Sequence, residues 1–262
     1  MPTKRSSKSN ETSKKENPDK EKEVLSVNRF HMNHILPNNL LLIMGCPEMT
    51  DRLILDYLDF NLDLPIGLVI SDNLEPYKGK VPDIFLFPGK DLDETLLSNL
   101  ESRQKTASKR AIDNIEQDPR AFCIITLKEN AFSQLSSNTW TRLKQLINER
   151  HRLNLTVILA VNIEREQRQE QGVDGIGAVL LKYDPNYVFF LTKHLHSDTK
   201  LEKCAQTIEN IIQKGEIAVV NYGKNCESCR FEVYWYHINR ERIKHFRICH
   251  PKYWEKSTRL KS

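Results

Sequence analysis

No apolar run in this sequence approaches the roughly 18–20 residues that a membrane-crossing helix requires, so no transmembrane segment is expected. The opening stretch MPTKRSSKSN has no apolar core of the kind a secretory signal carries, so no signal peptide is expected either. The six cysteines are scattered across 262 residues rather than set as a disulfide framework. Free thiols in a reducing compartment are expected. No internal repeat is visible, which sets aside solenoids and propellers. What is present, 39% hydrophobic and 28% charged residues, fits a soluble globular protein with a disordered appendage. The length allows one large domain or two small ones, with a core that needs no disulfide or metal.

Charge is unevenly placed. Residues 1–22 carry a net +3 and residues 238–262 a net +6, which with a total of +4 leaves −5 on the body between them. Two basic ends on an acidic body suit contact with nucleic acid or another polyanion; they equally suit solvated tails that keep the chain soluble. Residues 1–26 hold almost nothing to bury and are expected to be a disordered basic tail. Residues 27–238 form the ordered domain, and 239–262 a basic C-terminal extension.

Within the ordered region, apolar runs alternate with helical patterns. Leu40–Met44, Pro65–Ser71, Asp83–Phe87, Ala121–Leu127, Asn154–Val161 and Asn186–Thr192 read as strands. Two of them, AFCIITL and NLTVILAV, are apolar on both faces, as strands of a covered parallel sheet are. Helices are expected after the first strand with Leu53, Ile54, Tyr57 and Leu58 on one face, over Asp91–Glu116 with a break near Thr106, over Asn138–Arg150, and over Asp198–Lys214. Asn162–Gly177 reads as a loop, or a short helix and a loop. Glu216–Tyr222 and Arg230–Ile238 read as a C-terminal hairpin. The alternation predicts an α/β fold, a mainly parallel sheet flanked by helices.

The junction LLLIMGCPEMTDRLILDYLDF, Leu40 to Phe60, is where a phosphate-binding loop belongs. The pattern G-x-x-x-x-G-K-[ST] starting at Gly45 asks for Gly at Thr50, Lys at Asp51 and Ser or Thr at Arg52. A β-branched Thr50 resists the positive φ that such a Gly supplies. Asp51 places negative charge where phosphate needs positive charge, Glu48 adds another carboxylate, and Arg52 cannot ligate a cation. Thr50 and Asp51 are instead suited to cap the helix from within.

Six strings in order carry a family resemblance: LLLIMG, VPDIFLF, DPRAFCIITL, INERHRLNLTVILAVN, YDPNYVFFLTK and FEVYWYHI. Together they resemble the poxvirus-type genome-packaging ATPases of large DNA viruses, in the FtsK–HerA class of P-loop NTPases. The match runs from about Ile35 to Trp254. It implies a P-loop NTPase-like (RecA/FtsK–HerA type) domain whose Walker A motif, at Gly45, Thr50, Asp51 and Arg52, is degenerate. It places Walker B at Thr126 and Leu127, where an acid for Mg²⁺ and one for water would stand. Glu129 could replace them only if the strand end slipped, which would turn side chains to the other face. Asn162 stands at the sensor position. Arg150 and His151 match an Arg-His string, where Arg150 would serve a neighbour's nucleotide or merely end a helix. The resemblance therefore implies a packaging-ATPase-like protein that has lost ATP hydrolysis and acts in DNA packaging or virion assembly. Its expected partners are DNA, packaging or capsid proteins, and copies of itself or an active homologue in a ring. The expected setting is host cytoplasm, viral factory or virion. The alternatives are an active DNA-translocating ATPase using ATP and Mg at a divergent site, and a zinc-stabilised nucleic-acid-binding module.

The zinc reading comes from Cys226-x-x-Cys229 in the expected hairpin turn, with Cys249 and His250 as candidate partners and His245 or His237 as a further ligand. His194 and His196 form a weaker metal candidate. Cys46 and Cys123 read as core. The terminal stretch mixes Lys and Arg with Phe246, Tyr253 and Trp254, suiting phosphate contact and base stacking or simple anchoring of the tail.

Overall fold

The computed structural model describes residues 27–61, 67–113, 118–163, 175–191, 201, 204–222 and 232–238. The basic tail at 1–26 and the extension at 239–262 lie outside the described residues.

The strands are β1 (Leu40–Gly45), β2 (Leu68–Ser71), β3 (Leu86–Pro88), β4 (Ala121–Lys128), β5 (Leu155–Asn162), β6 (Tyr187–Phe190), β7 (Ile217–Asn221) and β8 (Glu232–Tyr236). They form one eight-stranded sheet in the order β3-β2-β4-β5-β1-β6-β7-β8. The pairings from β3 across to β6 are parallel. The expected C-terminal hairpin, β7 with β8, joins β6 antiparallel and extends the sheet. β1 and β5 are buried along their whole lengths because the sheet is covered on both sides. The fold is thus α/β, with a mainly parallel sheet flanked by helices, as the alternation predicts.

The helices are α1 (Pro47–Phe60), α2 (Glu94–Asp113), α3 (Glu129–Ser133), α4 (Ser137–Glu149), α5 (Ile176–Leu181) and α6 (Ala205–Gln213). One sheet face packs against α2, α4, α5 and α6 through residues such as Leu97, Leu143, Leu146, Leu180 and Ile208. The other packs against α1 and the short turn Glu75–Tyr77, through Leu53, Ile54, Tyr57 and Tyr77. Strand alternation sorts side chains between these two cores. Phe122 and Ile124 face α1, whereas Cys123, Ile125 and Leu127 face α2 and α4.

Three local expectations change. α2 is continuous through Thr106, whose hydroxyl donates back to the Ser102 carbonyl inside the helix (3.0 Å). Asp83–Phe85 forms a 3-10 turn after Pro82, and the strand begins only at Leu86. Of the expected loop at Asn162–Gly177, residues 164–174 lie outside the described residues, and Gly175 caps α5, a helix of six residues that packs Ile176, Leu180 and Leu181 into the core. Asn28 and Phe30 add to the outer strand: Trp235 N–H donates to Asn28 (3.1 Å), and Phe30 N–H donates to Trp235 (2.7 Å).

Candidate functional site

β1 ends at Gly45 and α1 begins at Pro47, so Cys46 alone separates strand from helix. Cys46 is extended (φ −73°, ψ 149°) and serves as the helix N-cap through its backbone, with no side-chain cap bond. Pro47 suits the first helical position, since its fixed φ is helical and its missing N–H would be unsatisfied there anyway. Thr50 N–H already donates to Cys46 O at 3.0 Å, inside the first turn. The expectation that Thr50 and Asp51 cap the helix is therefore corrected: both lie within α1, and both are buried. Helix occupies the residues that a phosphate loop would leave open. Starting at Pro47 rather than at Thr50, it reaches about 4.5 Å further toward the strand end.

Gly45 is fixed by packing. A Cβ there would lie 2.5 Å from the Cβ of Leu191, whose N–H donates to Met44 O at 3.0 Å. Glu48 sits in the first turn of α1, where a carboxylate favours the helix dipole. Arg52 is exposed.

Asp51 and Tyr77 form a buried pair in which the Tyr77 hydroxyl donates to Asp51 Oδ1 at 2.7 Å. Burial raises the Asp51 carboxyl above its ordinary range, and the Tyr77 bond partly offsets this. Burial first, and then the facing Asp51, push Tyr77 well above the ordinary phenol range; Thr126 opposes this from nearby. A second pair grips α1 further along, where the Tyr236 hydroxyl donates to Asp56 Oδ2. Neither tyrosine was legible as a site residue, because the partners lie 26 and 180 positions from their aspartates. No local motif encodes such contacts.

The positions matched to Walker B and sensor sit on the same sheet end. Gly45, Asn162 and Lys128 are register partners across β1, β5 and β4, and Ser71, Thr126, Ala160 and Ile43 form the next row inward. Thr126 shares the face of Phe122 and Ile124, and Asn162 that of Ile158 and Ala160, so both point toward α1. Leu127 points the other way and is 1% exposed in the core beneath α2 and α4. Glu129 is the first residue of α3, past the strand end, where its carboxylate favours that helix's dipole. β4 does not slip to bring it in. Asp72, which sequence reasoning passed over, ties off β4. Its N–H donates to Thr126 O (3.3 Å), and its Oδ2 accepts from Lys128 N–H (2.9 Å).

Arg150 lies at the opposite end of the sheet. Its Nε donates to Asn38 O (3.0 Å) and its Nη1 to Ile147 O (2.8 Å), tying the end of α4 to the approach to β1. Burial lowers its pKa, and burial and then Arg150 lower that of His151. Cys123 is in the core as expected, and burial pushes its thiol up to about 12. Cys46 is part-exposed at the helix cap rather than buried in the strand. Cys226, Cys229, Cys249, His250, His245, His194 and His196 lie outside the described residues. His237 lies beside Glu216, with Nδ1 and Oε2 3.0 Å apart. Among the described residues, no three His, Cys, Asp or Glu side chains gather as a metal site requires, and no helix is long and apolar enough to cross a membrane.

ATP with Mg²⁺ does not fit this arrangement. The turn after β1 is helical, the position that the resemblance gives to lysine is a buried aspartate bonded to tyrosine, and the positions it gives to the carboxylates of β4 are a threonine and a core leucine. The electrostatic sign at Asp51 is also wrong for a triphosphate.

No family model matches the sequence, and no curated protein matches it. Among solved structures, the cytoplasmic domain of the Type VII secretion ATPase EccC from Thermomonospora curvata is similar at 13% identity and a TM-score of 0.34. The match covers 58% of this chain and 19% of that one. A second EccC structure, ATPases 2 and 3 with a signal sequence peptide, is similar at the same identity and score over 58% of this chain and 29% of that one. The chain thus spans less than a third of either EccC chain. A third structure, titled ATPase, is similar at 11% identity and a TM-score of 0.41, covering 78% of this chain and 82% of its own.

Proposed function

We propose that this protein is a packaging-ATPase-like component of a large DNA virus that does not hydrolyse ATP and acts structurally or as a regulator in DNA packaging or virion assembly. One observation carries the loss of activity: a single residue, Cys46, connects β1 to α1, so the first helical turn stands where a triphosphate would be wrapped. Supporting it, Asp51 is held by Tyr77 and Leu127 is in the core, so two positions that would need nucleotide chemistry serve packing instead. The basic ends, net +3 and +6, supply the attraction to DNA, and capsid proteins or an active homologue supply the assembly. The setting is host cytoplasm, viral factory or virion.

Calorimetric titration of the full chain with Mg-ATP, and ATP turnover with and without DNA, test the loss of activity. No heat of binding and no turnover are expected. Micromolar binding, or turnover that DNA stimulates, would sink the reading. Co-purification from infected material tests the packaging role separately.

A further inference from the structure

We propose that the closed strand end beneath α1 holds an internal water site bounded by Thr50, Thr126 and Asn162. Among the described residues, the buried side-chain oxygens with no protein hydrogen-bond partner are Thr50 Oγ1, Thr126 Oγ1, Asn162 Oδ1 and Asn38 Oδ1. Two of these, Thr126 and Asn162, belong to the same sheet end, and Thr50 belongs to the first turns of α1 that follow β1 there. Thr50 is 0% exposed, Thr126 1% and Asn162 6%. Buried polar atoms are almost always satisfied, so three stranded together mark a shared partner.

The two strand residues are close by construction. Thr126 pairs with Ala160, two residues before Asn162 on the adjacent strand and on the same face, which makes Thr126 and Asn162 diagonal neighbours. Such positions lie about 7–8 Å apart, a span that one bridging molecule covers. Thr50 comes from above. It adjoins Asp51, whose partner Tyr77 is held near Thr126. Its Cβ leans toward the helix N-terminus, and so toward the strand end.

The chemistry of the group selects the occupant. An anion is opposed by the buried Asp51 carboxyl beside the site. A cation is opposed by the positive N-terminal end of α1. A neutral molecule that both donates and accepts meets neither objection. The Thr50 hydroxyl can donate to it, the Thr126 hydroxyl, which also faces the Tyr77 phenol, can accept from it or donate to it, and the Asn162 oxygen can only accept from it. Water matches that count, and internal waters commonly make about three such bonds. The strand end that would face a nucleotide is then hydrated from inside and closed to solutes by α1.

A high-resolution crystal structure of the full chain is the first test. It should show one ordered solvent peak within about 3.2 Å of all three oxygens. An ion there, or direct bonds from these oxygens to protein groups, would overturn the proposal. Thermal melts give a second test that needs no crystal. Thr50→Val, Thr126→Val and Asn162→Leu should each lower the melting temperature by stranding the remaining partners. The triple variant, which expels the water, should lose clearly less than the three separate losses combined. Strictly additive losses would also overturn it.

Discussion

The hydroxyl of Tyr77 donates to Asp51 Oδ1 at 2.7 Å, so the helix that begins α/β packing on this face is pinned by a phenol from the turn after β2. Both side chains are buried, and neither has a local sequence signal that names the other.

The pair sets a pH dependence. Burial holds the Asp51 carboxyl above its ordinary 3.8 in the folded chain. Between that value and the raised one the native state binds more protons than the unfolded state, so stability falls as pH rises through this interval. Asp51→Asn keeps an oxygen for Tyr77 and removes the charge. Its stability should change less with pH there, and at neutral pH it should match or exceed the parent. Tyr77→Phe leaves the carboxyl without its donor and should lose about 1–3 kcal/mol at neutral pH. Urea denaturation across the acidic range checks both.

Restoring the Walker letters should not restore binding. Thr50→Gly, Asp51→Lys and Arg52→Thr together rebuild the sequence pattern, but α1 still starts at Pro47. Titration with Mg-ATP should show no micromolar binding. The Lys also meets buried Tyr77 rather than phosphate, so the melting temperature should fall. Leu127→Glu should fall further, because it buries an unpaired charge between the sheet and α4.

Gly45 should tolerate no side chain. Gly45→Ala sets two Cβ atoms 2.5 Å apart and should cost about 1–3 kcal/mol. Leu191→Ala should not relieve it, because the clashing Cβ remains. In a Leu191→Gly background the increment from Gly45→Ala should nearly vanish, which a double-mutant cycle by urea denaturation measures.

Arg150 should behave as a fastener. Arg150→Ala releases the carbonyls of half-buried Asn38 and buried Ile147 and should lose about 1–2 kcal/mol. Arg150→Lys should recover only part, since an ammonium cannot match the fork that reaches Asn38 and Ile147 together. Thermal melts of the three proteins decide it.

The sheet was legible because continuous apolar runs such as AFCIITL and NLTVILAV, short and rich in β-branched residues, suit strands covered on both faces, and β4 and β5 are those strands. The hairpin was legible as two strand-like runs separated by a short polar stretch. The start of α1 is misplaced from sequence because Thr50 and Asp51 look like caps, although Pro47 is itself a first-position signal. Burial of Thr50 and Asp51 is a tertiary fact, decided by Tyr77 and the sheet. α5 was missed because two glycines stand at its start and only six residues make it. The strand-end positions Gly45, Thr126 and Asn162 stand out in the sequence as motif positions, but Asp72, Tyr77, Asp56 and Tyr236 do not, since their bonds join distant parts of the chain.

The docking of Asn28 and Phe30 onto Trp235 constrains how the protein emerges during synthesis. The two sides of that contact are separated by about two hundred residues, or tens of seconds of translation at ribosomal rates. β1 faces a similar wait, because its partners β5 and β6 are both made long after it. Asn28 and Phe30 therefore stay unpaired until β8 has been made, and β1 until β5 has been made.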